Sequence, residues 1–380
     1  SYCEDVDGDG LGADESVEYC LDDLPDGWVE DCSDPEPDCA TDVCGYLIEL
    51  HGGANLVSFY DLPVDKTIEN IFETLVDLSP SIIGEGNAAF YNDGLWIGGL
   101  TELNLANGYW ITVAQDTELE IIEISSENVT EYSLHFGNNL ISYPFPDSSP
   151  LDETIPEEAQ ESIFFIIGES KAALNSDDGW LGGLMDLSGT EGYWFIINEE
   201  VSFSYIPPEE GTARKDSPIR SIPVEYAYSQ STQQSFYFVN SATIDGDPLE
   251  KEDLIIAYNN DVIVGSRYWY GETTDVPAMG YDPNNYEEYT TGYCEAGDRI
   301  NFKVLDASTG ELIDMEADRD ITWENNLISS VGTLKNVLAI PAGFHLGKPY
   351  PNPFNPVATI TYDIPIDCDI KLSIYDVKGR

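Results

Sequence analysis

The chain reads as a mainly β, multidomain protein, and three features of its 380 residues predict that class. Apolar residues come in short alternating or continuous runs bounded by Gly, Asn and Asp, as half-buried and buried strands do. One stretch recurs in tandem, so the middle of the chain holds two copies of a module. Five of the seven cysteines (Cys3, Cys20, Cys32, Cys39, Cys44) fall in the first 44 residues, among Asp and Gly, where few apolar residues exist to build a core.

Composition narrows the field further. A hydrophobic share of 42% with 14 Phe, 7 Trp and 23 Tyr is enough to bury, unlike an acidic disordered chain. Against 15 basic residues stand 72 acidic ones, and a net charge of −57 repels nucleic acid and anionic membranes. A multivalent cation is the natural counter-charge. No run of about 18 apolar residues appears, so no membrane-spanning helix is expected.

The elements follow in order. Residues 1–45 show neither helical nor strand periodicity, and such a segment folds around ligands and bridges rather than a core. Clustered cysteines imply an oxidising compartment. Their pairing is open, as is whether Cys294 and Cys368 pair with each other, with the odd N-terminal cysteine, or stay free.

Module copy 1 spans 46–125 and copy 2 spans 126–208. Leu50-His51-Gly52-Gly53-Ala54-Asn55-Leu56 recurs 84 residues on as Leu134-His135-Phe136-Gly137-Asn138-Asn139-Leu140. With no gap, Ile82–Glu85 matches Ile166–Glu169, Trp96–Leu100 matches Trp180–Leu184, and Gly108–Ile111 matches Gly192–Phe195. In copy 1, Asn55–Phe59 and Tyr109–Val113 read as buried strands, and Ile68, Ile71, Phe72 and Leu75 keep the spacing of one short helix. The glycines before Leu and before Tyr-Trp are packing glycines, since no phosphate-loop pattern accompanies them.

After a charged linker, residues 216–334 carry strand signals at Ser235–Val239, Leu254–Tyr258, Val262–Val264 and Arg299–Val304, with Asp/Asn/Gly turns between them. A β-sandwich is the economical reading. Pro341–Pro356 then leads to a final Ig-like region, 340–380, with expected strands Thr359–Ile364 and Ile370–Tyr375.

The strongest chemical motif is Asp5-Val6-Asp7-Gly8-Asp9-Gly10-Leu11. Alternate carboxylates with glycines between them wrap oxygens around one hard cation, and a backbone carbonyl near Leu11 adds a ligand. Position twelve is Ser16 rather than Glu, which excludes an EF-hand. The segment resembles thrombospondin type 3 repeats and related bacterial metal-binding repeats, through Asp5–Gly10, Cys20, Pro25–Val29 and Asp31-Cys32-Ser33-Asp34. That resemblance implies Ca2+ on Asp5, Asp7 and Asp9, with Asp31, Asp34 and Asp38 as further ligands.

At the other end, Leu346–Pro356, Thr359–Tyr362 and Leu372–Arg380 resemble the opening of the C-terminal sorting domain of type IX secretion substrates. This implies export to the outer surface of a Gram-negative bacterium. The family pattern continues beyond the point reached at Arg380.

Catalytic patterns are thin. His51 and His135 occupy equivalent repeat positions, which favours a shared structural role, and no serine-hydrolase elbow or zinc-helix motif is present. Two function classes remain. The leading one is a calcium-binding structural or adhesive surface protein, able to assemble head-to-tail into a homopolymer because its end modules differ from its middle ones. The alternative is a binder of surface glycans, or the non-catalytic part of a secreted glycoside hydrolase, with Tyr268, Trp269 and Tyr270 as a sugar-stacking platform.

Overall fold

The computed structural model describes residues 2–4, 12, 16–17, 25, 27–32, 45–122, 131–208, 220–283, 287–337, 343–350, 353, 356–357, 359–366, 368–373 and 378. The protein is mainly β, with several separate sheets.

Copy 1 is a five-stranded antiparallel sheet of β1 (Gly53–Ser58), β2 (Ser81–Gly84), β3 (Asn87–Asn92), β4 (Leu95–Gly98) and β5 (Gly108–Val113), in the order β1-β5-β2-β3-β4. Strand alternation splits it into two faces. Ile82, Ala89, Tyr109, Ile111 and Val113 point into a core closed by Ile68, Ile71, Phe72 and Leu75. These four lie on a single helical turn, Ile68–Ile71, that tightens into a 3₁₀ stretch, Glu73–Leu78, so the helical spacing does mark the buried side of a helix. A short antiparallel pair, Tyr46–Leu50 with Thr117–Ile121, closes the ends of the module.

Copy 2 repeats the plan with β6 (Gly137–Ile141), β7 (Ile163–Ile167), β8 (Ala172–Ser176), β9 (Gly179–Gly182) and β10 (Tyr193–Ile197), in the order β6-β10-β7-β8-β9. Its closing pair, Tyr132–Leu134 with Val201–Phe203, lies at the same offset.

The third domain is one eight-stranded sheet of β11 (Gln234–Ile244), β12 (Asp247–Pro248), β13 (Leu254–Asn259), β14 (Val262–Tyr268), β15 (Thr274–Met279), β16 (Ile300–Leu305), β17 (Leu312–Ala317) and β18 (Ile328–Asn336). The order is β12-β11-β18-β17-β16-β13-β14, with β15 on the second edge of β11 and β11–β18 as a parallel pair. The sheet curls into a sandwich-like shell around Tyr237, Val264, Val276, Phe302 and Trp323. Its two ends nearly meet, since a Cβ on Gly265 of β14 would lie 1.8 Å from the Pro277 carbonyl of β15. The expected turns carry the backbone that requires Gly, Asp or Asn, with φ of 53° at Asp245, 92° at Gly246 and 52° at Asn260.

At the C-terminal end the pairing differs from expectation. Tyr362–Asp363 is a strand, but its partner is His345–Leu346 upstream, and Ile370–Ser373 is not in a strand. Tyr350 and Thr359 also exchange both backbone hydrogen bonds, at 2.9 and 2.8 Å, so the strand pairs with its own lead-in. Among the described residues no helix is long and apolar enough to cross a membrane.

Candidate functional site

The N-terminal segment is held by short-range pairing and one covalent bond. Cys3–Glu4 pairs antiparallel with Trp28–Val29, and Tyr2 exchanges both backbone hydrogen bonds with Val17, at 2.9 and 2.8 Å. Cys3 and Cys32 form a disulfide across 29 residues. The Gly12 amide donates to the Asp31 carbonyl at 2.8 Å, and the approach is close enough that a Cβ on Gly12 would lie 2.6 Å from Cys3 Cβ. The described residues on either side of 5–11 are thus fixed, Glu4 by strand pairing and Gly12 by its bond to Asp31.

Of the predicted metal ligands, Asp31 is described and exposed, at the end of that anchor. Asp5, Asp7, Asp9, Leu11, Asp34 and Asp38 lie outside the described residues, as do Cys20, Cys39 and Cys44. The donor set suits a hard cation, since every proposed side-chain ligand is a carboxylate. Among the described residues no three His, Cys, Asp or Glu side chains converge as a metal site.

The two module copies clasp each other reciprocally. His51 Nε2 lies 2.8 Å from Glu169 Oε1, whose Oε2 accepts the Leu56 amide at 2.8 Å. Shifted by 84 residues, His135 Nε2 lies 2.7 Å from Glu85 Oε1, whose Oε2 accepts the Leu140 amide at 2.9 Å. Asn55 and Asn139 each brace the bend by bonding both backbone groups of the histidine four residues earlier. The backbone bridges Val57–Glu191 and Asn107–Ile141 are related by the same shift. Between them Ala54, Leu56, Trp110 and Leu140 form a buried apolar seam flanked by Ile83 and Trp194. A Cβ on Gly192 would sit 2.5 Å from the Val57 carbonyl and one on Gly108 2.9 Å from the Ile141 carbonyl, which is why both copies keep glycine before Tyr-Trp. The arrangement is an isologous interface inside one chain.

Both ring nitrogens of each histidine face oxygen acceptors, His51 Nδ1 being 3.0 Å from the Gly52 carbonyl and His135 Nδ1 2.9 Å from that of Phe136, so the imidazolium form is the one fully satisfied. Burial alone would lower the His51 pKa, but the hydrogen bond and charge of Glu169 outweigh it and hold it at about 9. The Phe136 carbonyl and Glu85 raise His135 in the same direction.

No family model, no curated protein and no solved structure matches the chain. Its functional reading therefore rests on its own residues.

A second interface joins copy 2 to the third domain. Phe165, Ile167 and Ala172 pack on Phe236 and Phe238 of β11. At its edge Asp275, fully buried, accepts the Ala172 amide at 2.8 Å and the Tyr270 hydroxyl at 2.7 Å and pairs with Arg267 at 3.3 Å. Burial pushes the Asp275 carboxyl upward, and Arg267, Tyr270 and the Ala172 amide work against that rise.

The aromatic run 268–270 is divided among three surroundings. Trp269 is in the third-domain core, 8% exposed. Tyr270 is committed to Asp275, and Tyr268 lies under the Arg220 guanidinium, 4.1 Å from the ring centre. The three rings share no open face, since Trp269 turns into the core while Tyr268 and Tyr270 are held by different partners. Cys294 and Cys368 are free thiols, and burial pushes Cys294 up to about 12, which leaves it unreactive. Sequence reasoning assigned no role to Glu85, Glu169, Asp275 or Arg267. Both clasp glutamates lay inside the repeated Ile-Ile-Gly-Glu match, whereas Asp275 and Arg267 carry no pattern.

Proposed function

We propose that this chain is a structural or adhesive protein exported to the outer surface of a Gram-negative bacterium, with a calcium-binding N-terminal segment. The observation that carries the reading is the double anchoring of the Asp-rich stretch, at the Glu4 pairing and at Gly12–Asp31, inside the Cys3–Cys32 loop. A short acidic loop fixed at both ends loses less entropy on closing around an ion than a free one. Asp5, Asp7 and Asp9 with the Leu11 carbonyl supply the inner ligands, and Asp31 and Asp34 complete the shell. Export is assigned through the likeness of residues 346–380 to sorting domains. The packed modules serve as a stiff spacer, and the reading gives the chain no catalytic step.

Calcium titration of the intact chain by calorimetry is the test. Saturable binding that falls at least tenfold in Asp7→Asn, with protease protection of the segment removed by chelator, is the expected result. Heat and protection that are indifferent to chelator would sink the reading.

A further inference from the structure

We propose that the outer face of copy 1 is a pairing surface for a second copy of this chain, the two faces meeting about a two-fold axis. The internal symmetry of the molecule points to it. In copy 2 the outer face carries Ala172, Leu174 and Gly183, and the third domain covers it: Ala172 is buried, and a Cβ on Gly183 would lie 2.7 Å from Asp275 Oδ1. The equivalent positions of copy 1 are Ala88, Phe90 and Gly99, and a Cβ on Gly99 would meet nothing within 4 Å among the described residues. Phe90 is 49% exposed, Ile97 beside it in register is 45% exposed and Leu95 is 68% exposed.

This face is continuous with an interface already in use. Trp110 and Ile83 pack in the seam between the copies, and the same side of the same sheet runs on through Ala88 and Phe90 to Ile97. On its outer strands it has gained apolar bulk relative to copy 2, with Phe90 for Leu174, Ile97 for Leu181 and Leu95 for Gly179, whereas Ser81 and Thr112 stand where copy 2 has Phe165 and Ile196 against the third domain. It is also free of charge: Ser81, Ala88, Phe90, Leu95, Ile97 and Thr112 occupy its strand positions in a chain carrying −57. An uncharged apolar face is where two such acidic chains can approach at least cost. The third domain of another copy is not the occupant, because the surface it would use is buried against its own copy 2. A two-fold contact of like faces closes on itself and yields a dimer. The proposal goes beyond the surface role above and is independent of calcium.

Sedimentation equilibrium of the intact chain in about 1 M salt, where screening acts over about 3 Å, tests it. The expected result is a dimer at micromolar concentration that Phe90→Ser with Ile97→Ser weakens at least about tenfold. Leu95→Lys, at a more exposed site, is the second variant and should have the same effect, with unchanged thermal unfolding showing that both variants fold. A monomeric wild-type chain overturns the proposal. So does a dimer that survives both variants, which would place the contact elsewhere, for example on the exposed Phe344, Leu346 and Tyr350 of the C-terminal pair.

Discussion

Removing the Cys3–Cys32 bond by Cys3→Ala with Cys32→Ala should open the N-terminal segment, and the size of the effect follows from the loop it closes. With the cysteines 29 positions apart, the chain-entropy relation gives about 3.6 kcal/mol of stabilisation at 25 °C. Under conditions where opening and closing outpace cleavage, proteolysis reads the open population, so the variant should be cut up to about 400-fold faster. A Glu-specific protease is the right probe, since residues 1–45 contain no Lys or Arg. If the segment binds calcium as proposed, calcium at a hundred times its dissociation constant should return about 2.7 kcal/mol, less than the bond supplied. The calcium-loaded variant should therefore remain about fivefold more sensitive than the wild type without calcium. A variant cut no faster than wild type, or one on which calcium has no effect, would refute the reasoning.

The His51–Glu169 clasp makes a pH prediction with a definite sign. Its folded pKa of about 9 lies above the unfolded 6.5, so its contribution is fully present below pH 6.5 and is lost as pH rises through 9. Because the ring is 44% exposed, solvent screening reduces the term to about 1 kcal/mol. Thermal unfolding of wild type minus Glu169→Gln across pH 6–10 should show that decline, and a flat difference would count against the clasp. Asp275→Ala leaves Arg267, its side chain only 19% exposed, without its carboxylate and should cost about 3 kcal/mol in urea unfolding, whereas Asp275→Leu with Arg267→Met should cost far less. Gly192→Ala forces a methyl against the Val57 carbonyl and should lower stability by about 2 kcal/mol. Tyr205→Phe should raise the unfolding midpoint, gaining about 1 kcal/mol, because the buried Tyr205 hydroxyl has no hydrogen-bond partner among the described residues.

The modules were the most legible part of the sequence, because a buried strand and a one-turn helix both write their periodicity locally. Asn55–Phe59, Tyr109–Val113 and the Ile68/Ile71/Phe72/Leu75 stripe fall where alternation and helical spacing place them. The duplication also foretold that His51 and His135 share one role, though not that each would reach a glutamate of the other copy. Contacts between residues 50 and 118 positions apart leave no spacing to read. Asp275 is one acid among 72, and only the fold distinguishes it as buried. The aromatic run 268–270 misled for a related reason, since composition cannot say which way successive rings point. At the C-terminal end the prolines announced a bridge, but which segment the strand at Tyr362 would choose was decided by the reversal rather than by alternation.

The reciprocal seam between the copies has a consequence for how the modules respond to dilution. Two separate modules holding the same contacts would part once diluted below their dissociation constant. Joined in one polypeptide, each meets its mate at an effective concentration that can reach about millimolar, set by the connecting chain and indifferent to the volume outside. The duplication has turned an association that dilution could undo into one that no dilution weakens.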